Sequence, residues 1–236
     1  MSNIRLFFSE SLSLNFESKL NNSQSHYLTK VMRIKVGENF SLFNSNGEWS
    51  AKIKEISKGI VEFIVIEKLR QKDICKEIWL AFSPIKSNYF NFMIQKATEL
   101  GITRFIPIIF DRTIVRKINK ERLEKIIIEA TEQSNRINIP ILEKPQNLKN
   151  FLNDYSKKID LVFTDLNTAK KKLEVDKKAN KPLCAIVGPE GDFSEKEREL
   201  ILNFKSVRSI NINQNILRAE TATISIISII SYILSL

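Results

Sequence analysis

The chain has little of what several enzyme classes require. Its 236 residues include only one histidine, His26, and two cysteines, Cys75 and Cys184. A metal site built from several histidines is therefore excluded, and so is a serine–histidine–aspartate mechanism that needs another histidine. The cysteines show no CxxC spacing, so we expect both to be reduced, buried, apolar residues of a cytoplasmic protein.

The sequence also lacks a long hydrophobic run. Its first residues contain no positively charged stretch followed by an apolar core, and so predict no signal peptide. The apolar stretch at residues 222–236 is interrupted by serine and threonine, and it is shorter than the roughly 20 residues that a bilayer requires. We expect no membrane partner, and we interpret this stretch as a helix in the core or at a subunit contact.

Negative charge is in the minority. The chain has 37 Lys and Arg residues against 27 Asp and Glu, which gives a formal charge of +10 and a pI near 9.5. This balance favours polyanionic partners such as nucleic acid, through counterion release and electrostatic steering. The chain is also rich in Ile, Lys and Asn, so the base composition of the genome is a second explanation of the lysine count.

The first 70 residues predict mostly β-structure. Residues 40–43 and 49–56 flank the pair Asn46-Gly47, which is a strong hairpin signal. Residues 60–66 add a third run with alternating apolar side chains. Three neighbouring strands predict a small barrel or a curled sheet.

A short amphipathic helix is predicted at residues 26–33. Its charged face is either an RNA contact or solvated surface. Residues 69–76 are polar and charged, and we interpret them as the boundary between two domains, residues 1–70 and 71–236.

After this boundary, strands and helices alternate. One predicted helix ends at Gly101 and another reaches Gln133 before Pro140. Alternating elements of this length indicate βαβ units with a parallel sheet, and so an α/β fold. The lysine-rich residues 170–181 predict a solvated loop. The predicted strands lie at residues 78–82, 105–110, 161–164, 185–187 and 207–212.

Two polar loops in this region are the most informative feature. The apolar strand at residues 185–187 is stopped by Gly-Pro-Glu-Gly at residues 188–191. Ser194 and Glu197 then form a capping box that begins a helix. Such a loop exposes backbone N–H groups where open α/β sheets bind ligands. With the second loop at residues 215–222 it predicts a small-molecule pocket of an enzyme, although an ordinary tight turn is the alternative for the first loop alone.

Taken together, the motifs resemble one family, the bacterial 16S rRNA (uracil-N3)-methyltransferases of the SPOUT superfamily, often called RsmE. The matching motifs run nearly end to end in the same order. They include His26 with Val31-Met-Arg33, Ile94-Gln-Lys-Ala-Thr-Glu-Leu-Gly101, Arg112, Glu129-Ala-Thr-Glu-Gln-Ser134 with Arg136, Gly188-Pro-Glu-Gly191 and Ile216-Leu-Arg-Ala-Glu-Thr-Ala222.

The resemblance implies the architecture and the partners. It implies an N-terminal PUA-like β-barrel domain that binds RNA and a C-terminal α/β domain with a trefoil knot, a rare exception to the usual rules of chain threading. It also implies S-adenosylmethionine as cofactor, ribosomal RNA or the 30S subunit as partner, a homodimer and no metal.

The resemblance also implies roles for individual residues. The implied catalytic residues are Arg218, Glu220 and Glu190. The implied cofactor-binding residues are Thr164, Val187, Gly188, Gly191, Ile212, Ile216, Leu217 and Thr221. The implied RNA-binding residues are Arg5, His26, Arg33, Arg112 and Arg136, of which Arg136 resembles a position near the target base or the partner subunit.

The chain departs from the family pattern at three positions. Asp192 and Asn213 stand where the family commonly has glycine, and Asn tolerates left-handed backbone better than most residues. Tyr89 stands where the family usually has a basic residue, which removes one expected RNA contact.

Methyl transfer to uracil N3 requires loss of the N3 proton and stabilisation of the charge that develops on the uracil oxygens. We hypothesise that Arg218 supplies this stabilisation, because its guanidinium is always charged and offers directional donors. The alternative is a structural ion pair with Glu220 or Glu190. The proton acceptor is Glu190, Glu220 or solvent.

Two other functions are compatible with the sequence. The first is a non-catalytic RNA-binding factor in ribosome assembly, which would keep the fold without the chemistry. The second is a SPOUT methyltransferase that acts on another RNA position, because the target is chosen largely by the N-terminal domain.

Overall fold

The computed structural model describes residues 4–71, 76–169, 172–175 and 181–235. The contacts divide the chain into two units. The first unit consists of Met1–Ile74 and Thr131–Ile139, and the second of Cys75–Ala130 and Pro140–Leu236. The division into residues 1–70 and 71–236 stays a prediction, and residues 72–75 of the predicted boundary lie outside the described residues. The return of residues 131–139 to the first unit was not anticipated by the sequence.

The first unit contains a five-stranded sheet with the order β1-β3-β4-β5-β2. Strand β1 runs parallel to β3, and the other neighbours are antiparallel. The strands are β1 (Arg5–Phe7), β2 (Glu17–Lys19), β3 (Asn39–Asn44), β4 (Gly47–Ser57) and β5 (Ile60–Gln71).

The predicted hairpin is confirmed as β3 and β4, which pair from Asn39 and Lys52 to Asn44 and Gly47. The third predicted strand is confirmed as β5. Its alternation has the expected effect, because every second side chain faces the core of the unit. These buried residues are Val61, Phe63 and Val65.

The predicted helix at residues 26–33 begins and ends earlier than expected. Helix α1 (Asn22–His26) begins at Asn21, whose side chain accepts a hydrogen bond from the N–H of Gln24. A π-helical segment, Tyr27–Val31, continues it. The helical stretch ends before Arg33, whose φ of 55° belongs to the left-handed region.

The second unit is built on a parallel seven-stranded sheet, which confirms the predicted α/β class. The sheet order is β12-β10-β11-β6-β7-β8, and β9 also pairs with β7. Every pair is parallel. The strands are β6 (Ile78–Phe82), β7 (Arg104–Ile109), β8 (Ile141–Leu142), β9 (Gln146–Asn147), β10 (Asp160–Thr164), β11 (Leu183–Val187) and β12 (Val207–Ile210).

Among the described residues, five helices flank or connect these strands. The predicted helix before Gly101 is confirmed, and Gly101 has the φ of +106° expected just after a helix. Most of the predicted lysine-rich loop lies outside the described residues. In the described part of the chain, every helix is too short or too polar to span a bilayer. The helices are α2 (Ser87–Glu99), α3 (Lys120–Gln133), α4 (Leu148–Tyr155), α5 (Glu195–Leu202) and α6 (Ala219–Ser235).

Candidate cofactor and active site

A cavity of about 600 Å³ lies at the carboxyl ends of three neighbouring strands, β10, β11 and β12. Its volume is within the range of small-molecule sites, and its position is the one where open parallel sheets bind ligands. Nine of the predicted cofactor and catalytic residues line it, whereas Gly191 and Thr221 are not among its lining residues. The nine are Thr164, Val187, Gly188, Glu190, Ile212, Ile216, Leu217, Arg218 and Glu220.

Gly188 lines this cavity, and the space beside it has no room for a side chain. A Cβ atom at this position would lie 2.7 Å from the ring of Phe193. That ring is itself fixed by edge-to-face packing against Phe110 and Phe163, at centroid distances of 5.1 and 5.3 Å. A larger residue at position 188 would therefore displace a packed aromatic ring or fill the cavity.

The turn after β11 is tied to the loop after β7. Ser194 Oγ donates to Asp111 Oδ2 at 2.6 Å, and the Asp111 N–H donates to Glu197 Oε1 at 2.8 Å. Arg112 Nη1 donates to the carbonyl oxygen of Gly191 at 2.8 Å. The predicted capping box of Ser194 and Glu197 is present. These hydrogen bonds connect the turn after β11 to the loop after β7.

The two departures from the family's glycines have different backbone conformations. Asp192 has a φ of +63°, in the left-handed region that glycine adopts without strain. Asn213 has no positive φ. Its carbonyl Oδ1 instead accepts the N–H of Asn215 at 2.8 Å, and its own N–H donates to Asn211 Oδ1 at 3.1 Å. Asn213 therefore does not adopt the left-handed backbone that Asn tolerates, because successive Asx turns shape this segment.

The Asx turns are followed by Ile216 and Leu217, two apolar residues that line the cavity. Ile216 is 86% exposed, although it lines the cavity. Burial of this side chain against a ligand would remove apolar surface from water.

An ion pair between a buried aspartate and a half-buried arginine in the cavity wall was not predicted from the sequence. Asp165 directly follows β10, and its Oδ2 accepts from Arg198 Nη2 at 2.6 Å. Its Oδ1 accepts the N–H of Asn167, and its own N–H donates to the carbonyl oxygen of Ile210. Asp165, Asn167 and Arg198 line the cavity, whereas Ile210 does not. The signal was available, since Asp165 is a polar residue at the carboxyl end of a predicted strand.

The three predicted catalytic residues line one cavity. Within the described residues, no ion pair joins Arg218 to Glu190 or Glu220, so the structural alternative for Arg218 has no support in the geometry. The Arg218 guanidinium instead lies over the ring of Tyr89, with Cζ 5.6 Å from the ring centroid.

Arg5 corrects one of the RNA-binding predictions. It is buried, and its Nε donates to Glu48 Oε1 at 2.9 Å. Its terminal nitrogens donate to the carbonyl oxygens of Glu132 and Arg136, both at 2.9 Å. The opposite oxygen of Glu48 accepts from Arg70 Nε at 2.8 Å. Arg5 therefore holds residues 131–139 within the first unit, and its guanidinium is not available to RNA.

The other predicted RNA-binding residues have different environments. His26, Arg33 and Arg112 are exposed, and Arg112 is bound to Gly191 as described above. Arg136 is half-buried. The RNA contacts of these four residues stay predictions.

The described part of the chain shows neither a metal-binding cluster nor a reactive cysteine. No group of three or more metal-ligating side chains occurs there. Burial raises the pKa of the Cys184 thiol to about 12, so the thiolate that reacts or binds metal is not formed near neutral pH. Cys75 lies outside the described residues.

Two family models match the chain. The RNA methyltransferase domain matches residues 72–231, and the RNA methyltransferase PUA domain matches residues 20–66. The first match covers more than half of the chain, and it includes every residue that lines the cavity.

Comparison with individual proteins also identifies ribosomal RNA methyltransferases as relatives of this chain. The ribosomal RNA small subunit methyltransferase E of Rickettsia conorii is 36% identical over 95% of this chain and 93% of its own length. Its counterpart in Aquifex aeolicus is 31% identical over 85% of this chain and 88% of its own length. The crystal structure of the Neisseria gonorrhoeae enzyme bound to S-adenosyl methionine superposes with a TM-score of 0.89 at 25% identity, over 98% of both chains. The cavity at the predicted strand ends lies within the matched region. The chain belongs to the ribosomal RNA small subunit methyltransferase E family, because the family model and these relatives match it over most of its length.

Proposed function

We propose that this protein transfers a methyl group from S-adenosylmethionine to N3 of one uracil in 16S ribosomal RNA. The observation that carries the proposal is the cavity itself, where an arginine and two carboxylates without ion pairs among the described residues line the same space as a glycine turn and an apolar segment. The family membership and the S-adenosylmethionine-bound relative support the choice of methyl donor.

The residues present fit S-adenosylmethionine. Apolar side chains on two strand ends and on the 216–217 segment suit the adenine ring, and polar groups beside them suit the ribose and the amino-acid part. Gly188 leaves room for close approach, since a Cβ there would occupy the space beside Phe193. When bound, the cofactor would supply a methyl group activated by its sulfonium, and cleavage of the S–CH3 bond would leave S-adenosylhomocysteine. The apolar residues that would hold it are Val187, Ile212, Ile216 and Leu217.

The chain's own groups perform the rest of the chemistry. Uracil N3 must lose its proton, and the negative charge then spreads to the neighbouring oxygens. Arg218 donates to those oxygens and stabilises this charge, which is the kind of contribution that fixed donors make to a transition state. Glu190 or Glu220 accepts the N3 proton, directly or through water. Both carboxylates line the cavity, so each is within the candidate site.

The proposal also includes the barrel, the knot, the domain boundaries and the RNA contacts. We propose that the five-stranded sheet closes as a PUA-like barrel and binds RNA, and that the segment before α6 threads the trefoil knot of a SPOUT domain. The proposed domains are residues 1–70 and 71–236. RNA contacts are proposed for His26, Arg33, Arg112 and Arg136, with Gly191 and Thr221 kept as cofactor contacts.

We further propose a cytoplasmic homodimer. Large apolar side chains on α2 and α6 are exposed in the single chain, among them Phe92 and Tyr232. An interface between two copies would remove this apolar surface from water.

Methyl transfer to 30S subunits tests the function. Subunits from cells that lack the gene are incubated with the protein and methyl-labelled S-adenosylmethionine, and the nucleosides are then analysed by mass spectrometry. The proposal predicts one N3-methyluridine in 16S RNA. Cofactor binding without methyl transfer contradicts it in favour of an assembly factor, and label in transfer RNA or at another position contradicts the assigned target.

A further inference from the structure

Tyr89 and Arg218 line the cavity together, although they belong to distant parts of the chain. Tyr89 lies in the first turn of α2, and Arg218 directly precedes α6. The Arg218 Cζ is 5.6 Å from the centroid of the Tyr89 ring, a distance at which a guanidinium is attracted to an aromatic face. Tyr89 is 51% exposed, so the ring is not simply part of the core.

The packing of α2 against α6 brings these two side chains together. Thr223 Oγ1 lies 3.4 Å from Met93 Sδ, and Ser231 Oγ donates to the carbonyl oxygen of Leu100 at 3.0 Å. These contacts join residues separated by 130 and 131 positions, so the two helices run side by side in the same direction. The same offset sets Tyr89 opposite the residues that begin α6. The contact thus follows from the fold of this unit.

The ring contact orients the guanidinium without occupying its donors. Within residues 4–71, 76–169, 172–175 and 181–235, no hydrogen bond or ion pair holds the Arg218 side chain. A guanidinium that lies over an aromatic face keeps its N–H groups free at its edge. Arg218 is therefore oriented by Tyr89 and still able to donate to a substrate oxygen.

We propose that Tyr89 is a positioning residue that holds Arg218 for methyl transfer, an inference that rests on the proposed function. The aromatic face of Tyr89 attracts the guanidinium of Arg218, and the N–H groups of Arg218 stay available to the substrate.

Substitutions that separate the ring from the hydroxyl group test this role. Tyr89→Leu and Tyr89→Met remove the aromatic face, whereas Tyr89→Phe retains it. Tyr89→Phe is the matched control, because it changes the same position of α2 and keeps the ring in the cavity lining. For each protein, kcat and KM are measured with 30S subunits, the Kd for S-adenosylmethionine by calorimetry and the Tm by differential scanning.

We expect Tyr89→Leu and Tyr89→Met to lower kcat about 3- to 30-fold, the range that a lost cation–π contact corresponds to. KM, the cofactor Kd and Tm should stay near the wild-type values, and Tyr89→Phe should restore kcat. Either non-aromatic variant suffices if the other does not fold.

Three results would overturn the positioning role. A Tyr89→Leu protein as active as wild type excludes it. A loss of kcat in Tyr89→Phe as large as in Tyr89→Leu assigns the effect to the hydroxyl group, and a rise in KM alone assigns the ring to RNA binding. Absence of methyl transfer in the wild-type protein would instead contradict the proposed function.

Discussion

In the first unit, Glu48 is buried between Arg5 and Arg70, and all three side chains are hydrogen-bonded. In the second unit, Arg218 and Glu190 line an open cavity without an ion pair to the described residues. The two regions hold charges in opposite ways. A charge with all its partners inside the protein stabilises the fold, whereas a charge without an ion-pair partner beside a cavity is available to a substrate.

Removal of Glu48 should have the largest effect on stability. Glu48→Leu leaves Arg5 buried without its carboxylate partner, and loss of one member of a buried pair costs about 3–5 kcal/mol of unfolding free energy. Urea denaturation measures this change. Glu17→Gln is the control, because the Lys54–Glu17 pair is exposed and should contribute less than about 1 kcal/mol. Equal effects of the two substitutions would contradict the structural role of the Glu48 cluster.

Removal of Arg218 should affect catalysis and not stability. Arg218→Ala is expected to lower kcat about 10²–10³-fold, which is typical when one donor to a developing negative charge is lost. The S-adenosylmethionine Kd and the Tm should stay near the wild-type values. Single-turnover methylation of 30S subunits measures the loss, and an active Arg218→Ala protein would remove the assignment.

Substitution of the two glycines tests how the turn shapes the cavity. Gly188→Ala introduces a Cβ 2.7 Å from the Phe193 ring, and overpacking of this kind costs about 1–3 kcal/mol. We expect the Kd for S-adenosylmethionine, measured by calorimetry, to rise at least about tenfold. Gly191→Ala is the comparison within the same turn. Gly191 is itself a proposed cofactor contact, but its Cβ would lie at an ordinary distance of 3.4 Å from the Arg112 side chain, so the loss of cofactor binding should be smaller. Equal losses in the two variants would contradict this account of the turn.

The pH dependence of stability should give the smallest effect. Burial alone raises the pKa of Glu48, but the hydrogen bonds and charges of Arg5 and Arg70 outweigh it and lower the pKa below its ordinary value. A lowered pKa contributes stability above the unfolded-state pKa of about 4.3, and this contribution is lost as the pH falls through the folded-state value.

The difference in unfolding free energy between wild type and Glu48→Gln should therefore shrink below about pH 4. Urea denaturation at pH 7, 5, 4 and 3 measures it. A difference that stays constant or grows with acidification would show that Glu48 is not the group that titrates.

Local sequence signals predicted much of the second unit. The capping box of Ser194 and Glu197, the strand ends and the parallel sheet depend on spacings of a few residues, so they can be read from the chain. The order of strands in the sheet depends on contacts between distant segments, and periodicity carries no information about them.

The charged residues illustrate the same limit. Arg5 and Arg218 were both predicted to be functional residues, and their sequence neighbours do not show which of the two side chains is buried. Arg5 is buried because residues 131–139 return to the first unit, more than 120 positions later. Arg218 contacts Tyr89 because α2 packs against α6. Both outcomes depend on tertiary contacts that the local pattern does not contain.

Hydrogen–deuterium exchange with and without S-adenosylmethionine tests most directly whether the two loops of the second unit form one methyl-donor site. If the two loops form one site, exchange slows in both residues 188–194 and residues 211–219 when the cofactor is present, and it does not change around Arg5 and Glu48. Slower exchange in only one of the two loops, or in neither, would contradict a single site.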